Sequence, residues 1–300
     1  MKTMIKQMED KDFTPQTIKS YMERIYVLNG NKNWTSLVFL RDTETMLNLL
    51  KSKYALSSQK SMLGTIISVL NLKPIKSNKK ASDIYLKYLT DDIVPLFNKV
   101  KGEKTEKQKE NWITREDIEA VKKEYSEKAN AVIKGRVGRK QYDILLENMI
   151  LSLYTSMPPR RAKDYVLMKL EDEETEQDTN YNYYDGTQFI LNEYKTKKSH
   201  GQEKVQLPKV VKNDIAMYLD KTDSLDKEFL ITTYNGKPFS IINEMTRRLN
   251  KIFGKKISVD LIRNMYYSHK YGDIKADIIQ DAKDMGTNLN TAMNIYTKVE

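Results

Sequence analysis

A polar, charged stretch divides the chain of 300 residues into two parts, and this division limits the folds available to it. Residues 98–111 read NKVKGEKTEKQKEN, with Val100 as the lone apolar residue. A segment with so little apolar surface cannot join a hydrophobic core and is typical of a linker. Three hundred residues are enough for two cores. We therefore expect two domains, residues 1–97 and 112–300, joined by the linker 98–111.

The N-terminal part shows the apolar spacing of amphipathic helices. Thr14 and Pro15 have the residue types of an N-cap and a first helical position. Apolar side chains then follow at helical spacing, at Ile18, Tyr21, Met22, Ile25 and Tyr26. Similar patterns recur to about residue 89. Residues 1–97 are therefore predicted to form an all-helical domain whose aromatic and methionine side chains fill its core.

The C-terminal part changes its hydrophobic period. A helix is predicted from about Gln141 to Thr155, but short aromatic and aliphatic runs follow Leu170. Asp185-Gly186 between two such runs is a strong hairpin signal. A looser turn through His200-Gly201 leads to a third strand, and helices are expected from Lys209 to the end. The predicted fold is mostly α with a small antiparallel three-stranded sheet in the second domain.

Composition favours an anionic partner. The chain has 51 Lys and Arg against 41 Asp and Glu, a formal charge of +10, which suits DNA, although a lysine-rich surface alone would look the same. It has no cysteine and only His200 and His269, so we expect neither a cysteine zinc site nor a histidine-rich metal site. Carboxylate magnesium sites stay possible. No secretory signal or membrane-spanning run is visible, so a soluble intracellular protein is expected.

Four positions could carry chemistry: the pair Arg160-Arg161, Lys195, Arg263 and Tyr296. A tyrosine oxygen can attack a phosphodiester and hold the strand covalently, while arginine guanidinium groups match phosphate oxygens in geometry and stay charged. Each residue alone has an ordinary explanation: a basic helix start, a solvated lysine, a surface cation, or one of 19 tyrosines. The order and spacing of these residues along the chain are more specific than any one of them.

In that order the chain resembles the tyrosine recombinases, or phage integrase family. The family's first arginine is followed three residues later by an acid, as in Arg161-Ala162-Lys163-Asp164. Its sheet lysine precedes a turn, as in Tyr194-Lys195-Thr196, and Arg263 lies 33 residues before Tyr296. The closing motif is matched by Met285-Gly286-Thr287 and Ile295-Tyr296-Thr297. The resemblance covers essentially the whole chain and is strongest from Trp112 onward.

Two positions depart from that family's pattern. Asp260 stands three residues before Arg263, where the family usually has His or Lys, and Thr287 stands where it usually has His or Trp. Neither His200 nor His269 fills a catalytic position. General acid–base assistance is worth roughly 10²–10⁴-fold in rate. Two interpretations follow: the enzyme is slow or inactive, or Asp260 acts as the base for Tyr296.

The resemblance implies a helical core-binding domain and an α+β catalytic domain that close as a clamp on double-stranded DNA. It also implies a 3′-phosphotyrosine intermediate on Tyr296, formed with Arg161 and Arg263 at the phosphate, and with Lys195 as general acid and Lys197 as the second choice. Asp260 and Thr287 complete the expected catalytic set. No metal, ATP or other cofactor is expected.

The expected DNA-binding residues are Arg160, Lys197 and Lys198. We expect a homo-oligomer, a tetramer, on DNA and an origin in a virus or mobile element. Few residues follow Tyr296, so subunit contacts are expected through the N-terminal domain or only on DNA.

Three other classes stay open. A type IB topoisomerase would use the same tyrosine chemistry as a monomer, and a catalytically impaired relative would bind DNA without forming an adduct. A metal-dependent nuclease or transposase would require magnesium. Adduct formation in EDTA separates the first of these from the other two.

Overall fold

The computed structural model describes residues 2–72, 76–99, 102–171, 178–223, 225, 227–239 and 242–296, and at residues 2, 295 and 296 it describes the backbone alone. The chain divides into two compact units, Met1–Glu103 and Lys104–Glu300. It is mostly helical, with a small sheet in the second unit. Across these residues, every helix is too short or too polar to cross a membrane.

The first unit is helical. Its helices are α1 (Lys2–Glu9), α2 (Pro15–Leu28), α3 (Thr43–Lys53), α4 (Leu56–Leu70), α5 (Lys76–Tyr88) and α6 (Val94–Lys99), with a 3₁₀ turn at Val38–Arg41 and a π-helical turn at Leu89–Ile93. The predicted cap of α2 is confirmed, because the Thr14 side chain accepts a hydrogen bond from the Thr17 amide and Pro15 is the first helical residue.

Helix α4 supplies the centre of the first unit's core. Leu63, Ile66 and Val69 are completely buried on it. Tyr85 of α5 is also completely buried, and its hydroxyl donates to the Leu40 carbonyl oxygen at 2.7 Å. That bond satisfies a hydroxyl that would otherwise be buried at a cost of roughly 1–3 kcal/mol. Tyr85 is therefore one of the aromatic side chains that fill this core, as predicted.

The second unit contains nine described helices and four described strands. The helices are α7 (Glu106–Asn111), α8 (Arg115–Asn130), α9 (Arg139–Thr155), α10 (Ala162–Tyr165), α11 (Lys197–His200), α12 (Lys209–Lys221), α13 (Asn243–Phe253), α14 (Val259–Asp284) and α15 (Leu289–Thr291), followed by a π-helical turn at Ala292–Tyr296. The strands are β1 (Lys169–Leu170), β2 (Tyr183–Tyr184), β3 (Gln188–Leu191) and β4 (Glu203–Gln206).

The predicted antiparallel three-stranded sheet is wrong. The described residues form a four-stranded mixed sheet in the order β1-β2-β3-β4, in which β1 runs parallel to β2 and the other pairs are antiparallel. The Asp185-Gly186 turn does join β2 to β3, and Gly186 has a φ of 92° that favours glycine. Strand β1 escaped prediction because two residues show no period of alternation.

Two further segments differ from the sequence prediction. Part of the predicted linker is helical, since α7 begins with a capping box in which Thr105 and Gln108 exchange hydrogen bonds. The C-terminal part is not continuously helical after Lys209. Between α12 and α13, the described backbone is irregular and pairs through isolated bridges, Lys169 with Phe229 and Thr232 with Pro238.

Helix α9 forms the centre of the second unit and contains a buried charge. Every residue from Leu145 to Tyr154 is buried, which includes Glu147 at 2% exposure. Glu147 Oε1 accepts hydrogen bonds from Arg248 and Lys251 of α13, each at 2.7 Å, and Tyr125 of α8 donates to its Oε2 at 3.3 Å. A buried carboxylate is tolerable only when it is paired in this way.

We predict that Glu147→Ala destabilises the protein strongly. It leaves Arg248 half-buried with only Asp143 to match its charge, so the free energy of unfolding falls by about 3 kcal/mol. The matched control is Glu124→Ala, which removes an exposed ion pair with Lys128 and changes it by less than about 0.5 kcal/mol. Urea unfolding measures both, and equal losses in the two variants would contradict the prediction.

Lys227 is a second charge inside this unit. Its ammonium lies 4.1 Å from the Tyr218 ring centroid, and it donates to Thr222 Oγ1. Burial lowers the pKa of Lys227 to about 8, against a smaller opposing effect of Asp223. The ordinary value is 10.5, so the unfolded chain binds more protons between pH 8 and pH 10.5. The contribution of Lys227 to the free energy of unfolding therefore rises with pH across that window.

Lys227→Met should remove this dependence. At pH 7 the variant is expected to be more stable than the parent by about 2 kcal/mol, a value reduced because Lys227 keeps partial access to water. The difference in unfolding free energy between Lys227→Met and the parent should approach zero as the pH approaches 10.5. Thermal or urea unfolding from pH 7 to pH 10.5 measures it, with Lys209→Met as the control for removal of an exposed lysine charge.

Candidate active site

The loop after α9 carries the first two arginines. Helix α9 ends at Thr155, and Pro158 and Pro159 then restrict the backbone up to Arg160 and Arg161. Arg161 is the N-cap residue of α10, in extended conformation, and its carbonyl oxygen accepts the Asp164 amide at 2.9 Å. The short helix α10 therefore fixes the backbone of this arginine loop, residues 156–161, at its C-terminal end.

Arg160 is held by two carboxylates. Its Nε donates to Asp164 Oδ2 at 3.0 Å, and its Nη2 donates to Glu203 Oε2 of β4 at 2.8 Å. The guanidinium also lies 5.6 Å from the Tyr194 ring centroid. Asp164 is 2% exposed, and burial raises its pKa, while Arg160 and Arg161 oppose that rise. Arg160 thus ties the arginine loop to the sheet.

Arg161 differs from its neighbour. It is partly exposed, and its side chain makes no hydrogen bond or ion pair with any of the described residues. Its charge is felt by Asp164, where it lowers the pKa. The arrangement therefore leaves one arginine of the pair available to an external anion, and it is the one that the sequence pattern singled out.

Helix α14 brings Arg263 to the arginine loop. Ser258 caps this helix, with its side chain accepting the Leu261 amide at 3.1 Å, and Arg263 lies in the second turn. Arg263 Nε donates to the Pro159 carbonyl oxygen at 3.1 Å, which places its guanidinium beside the residues that precede Arg161. Asp260 is 86% exposed and lies 3.5 Å from the Arg263 Nη1 atom, a weak pair.

The lysine segment is placed differently from the sequence prediction. Strand β3 ends at Leu191, so Lys195 lies in the turn that precedes α11 and not in the sheet. The looser turn predicted through His200 is the short helix α11, which ends at Gly201 with φ 68°. Lys195 and Lys198 are exposed and form no ion pair within the described ranges, whereas Lys197 pairs with Glu193.

The chain reverses sharply where α14 ends. Gly286 has a φ of 65°, its amide donates to Lys283, and the Thr287 amide donates to the Ala282 carbonyl oxygen at 2.8 Å. These two bonds are those of the Schellman motif. The backbone then continues through α15 to the π-helical turn that ends at Tyr296. The Tyr296 side chain and Thr297 lie outside the described residues. The distance from the tyrosine oxygen to the arginines is therefore not part of the described geometry.

Two partners of the site residues have no signal in the sequence. Glu203, which binds Arg160, lies 43 positions away in a strand whose other exposed side chains carry no signal. The Pro159 carbonyl, which receives Arg263, is a backbone group and has no signature in the sequence. Among the described residues no group of three or more His, Asp or Glu could hold a metal ion.

The described geometry brings Arg263 of α14 against the arginine loop, within a mostly helical chain of two units. No protein-family model matches the chain, and no curated protein is significantly similar to it. Among solved structures, the crystal structure of XerA recombinase aligns with 99% of this chain and 92% of its own, at 16% sequence identity and a TM-score of 0.34. A likeness this loose carries no argument about function.

The Schellman turn can be tested by a pair of glycine variants. Gly286→Ala places a Cβ in a left-handed conformation at a cost of about 1 kcal/mol, so the Thr287 amide should exchange with solvent about fivefold faster. Gly272→Ala lies inside α14 with open space around it and should stabilise the helix by up to about 1 kcal/mol. Amide hydrogen exchange measures both, and changes of the same sign would be incompatible with this turn.

Proposed function

We propose that the protein is a DNA recombinase that cleaves and rejoins strands through a 3′-phosphotyrosine on Tyr296, without metal or ATP. The observation that carries the proposal is the hydrogen bond from Arg263 Nε to the Pro159 carbonyl. It brings the second arginine of the sequence pattern to the loop that presents the first. Guanidinium groups presented by one loop and by the helix bonded to that loop suit the non-bridging oxygens of one phosphodiester.

Each step uses a residue of this chain. The Tyr296 oxygen attacks the scissile phosphorus, so that a Tyr O–P bond forms as the P–O5′ bond breaks. Arg161 and Arg263 stabilise the charge that develops on the non-bridging oxygens. Lys195 donates a proton to the leaving 5′-oxygen, with Lys197 as the alternative. The bond energy stays in the phosphotyrosine, and a 5′-hydroxyl from a partner duplex reverses the step.

The remaining residues have supporting roles in this proposal. Asp260 takes the tyrosine proton, which its exposure and its position beside Arg263 allow. Thr287 donates a hydroxyl hydrogen bond to the phosphate. Arg160 fits an anchoring role better than a phosphate contact, because Asp164 and Glu203 already match its charge. Lys198 is exposed and would contact the DNA backbone.

At the level of the whole protein, residues 1–97 would bind DNA as the second arm of a clamp on the duplex, and four copies would assemble on two duplexes. The net charge of +10 supports a DNA partner. Such binding neutralises phosphates, so the dissociation constant for duplex DNA should rise steeply with salt concentration.

A covalent trap tests the chemistry. The protein is incubated in EDTA with nicked, partly randomised duplexes whose short fragment diffuses away after cleavage. We expect a denaturation-resistant adduct that maps to Tyr296 and is lost in Tyr296→Phe, but is retained in Tyr271→Phe. Arg161→Ala and Arg263→Ala should each slow adduct formation about 10²–10³-fold. The exposed Arg247→Ala serves as the matched charge control.

The other outcomes point to the other classes. Duplex binding that weakens with salt but gives no adduct would indicate a non-catalytic DNA-binding protein. Cleavage that needs magnesium and leaves no adduct would indicate a metal-dependent nuclease. An adduct that relaxes supercoiled DNA without pairing two duplexes would indicate a topoisomerase.

A further inference from the structure

A cavity of about 330 Å³ lies in the second unit, between the first turns of α8, the end of α9 and the middle of α14. Its apolar walls include Ile118 of α8 and Ile262 of α14. This volume is at the lower end of the range of roughly 300–1,000 Å³ that is typical of small-molecule sites. None of the roles proposed above for the recombinase chemistry uses it.

Three ring-bearing side chains line the same cavity. Tyr266 and His269 come from α14, and Tyr154 comes from α9. His269 is also held edge-on against Trp112, with ring centroids 5.9 Å apart. Rings beside branched aliphatic side chains form a slot that suits a flat, π-bonded group.

The rim of the cavity is positively charged. Arg115 lies in the first turn of α8 and Lys270 lies on α14, both exposed. Glu119 is the one carboxylate among the described lining residues, and it is paired with Lys122 at 3.1 Å. Burial lowers the pKa of His269, and Lys104 and Arg115 lower it further against an opposing effect of Glu116. The same positive charges that lower the pKa of His269 would attract an anion to the rim of the cavity.

We propose that this cavity binds a nucleotide, with the base between the ring and aliphatic walls and the phosphate on Arg115 and Lys270. The ligand is either a free mononucleotide or an extrahelical nucleotide of bound DNA, and the second source rests on the proposed function. The ring walls suit a flat π-system, and the cationic rim suits an anion next to it. A nucleotide has both groups.

Tyr154 connects the cavity to the arginine site. Its side chain lines the cavity, and its hydroxyl is buried with no hydrogen-bond partner among the described residues. Burial raises the pKa of Tyr154, Asp164 raises it further and Arg263 lowers it, so the hydroxyl lies within electrostatic range of both. The neighbouring residue of Arg263, Ile262, is itself in the cavity wall. A nucleotide bound here would therefore lie against a side chain that is within electrostatic range of Arg263.

The test compares two duplexes of one sequence, one fully paired and one with a single extrahelical 2-aminopurine. Deoxyadenosine 5′-monophosphate is titrated separately by calorimetry. We expect the bulged duplex to bind about tenfold more tightly than the paired one, with a change in 2-aminopurine fluorescence as the base enters the slot.

Matched variants on α14 locate the effect. Tyr266→Ala and Lys270→Ala should each abolish the preference for the bulged duplex or weaken mononucleotide binding by about tenfold. Lys275→Ala removes the same charge from the same helix outside the cavity, and this variant should keep both the preference for the bulged duplex and the mononucleotide affinity.

The outcomes separate the two proposals. Mononucleotide binding without a bulge preference supports the cavity as a site for free nucleotide, and a bulge preference supports an extrahelical base of DNA. Salt-sensitive binding or an adduct on paired duplex, with neither of those signals, overturns the cavity inference while the recombinase proposal stands. Mononucleotide binding without any duplex binding or adduct overturns the recombinase proposal and leaves the cavity inference standing.

Discussion

The burial of α9 is the constraint on which the second unit depends. An α-helix with ten consecutive buried residues needs neighbours on every side, and α8, α12 and α13 provide them. Because Glu147 lies within that buried run, one neighbour must also bring a cation, and Arg248 of α13 does so. The enclosed helix ends at Thr155, which determines where the arginine loop leaves the core.

The candidate site is assembled by backbone and ion-pair contacts between segments that are distant in sequence. Arg263 is joined to Pro159 across 104 positions, and Arg160 is joined to Glu203 across 43. These two bonds attach one loop to α14 and to β4. Of the loop's two arginines, one is neutralised by carboxylates and the other is not. Identical side chains in adjacent positions therefore have different chemistry, which depends on the partners that tertiary structure supplies.

Local signals made part of this structure predictable. The cap Thr14, the hairpin at Asp185-Gly186 and the start of α12 at Lys209 each depend on nearby residues, so the sequence indicated them. The parallel strand β1 and the α11 turn were missed because short elements have no periodicity. Arg161 and Arg263 were chosen by pattern, but the Pro159 carbonyl that binds Arg263 could not be, because every residue has a carbonyl.

The length of α14 sets the separation between Arg263, which contacts the arginine loop, and the start of the segment that carries Tyr296. Its 26 residues span about 39 Å, with Arg263 in the second turn and the Gly286 reversal just beyond the far end. Inserting one residue between them would rotate everything that follows by about 100° and shift it by about 1.5 Å. Seven residues would nearly restore the angular phase at a different distance. An insertion or deletion in this helix therefore disturbs the direction of the segment that follows more than its distance from Arg263.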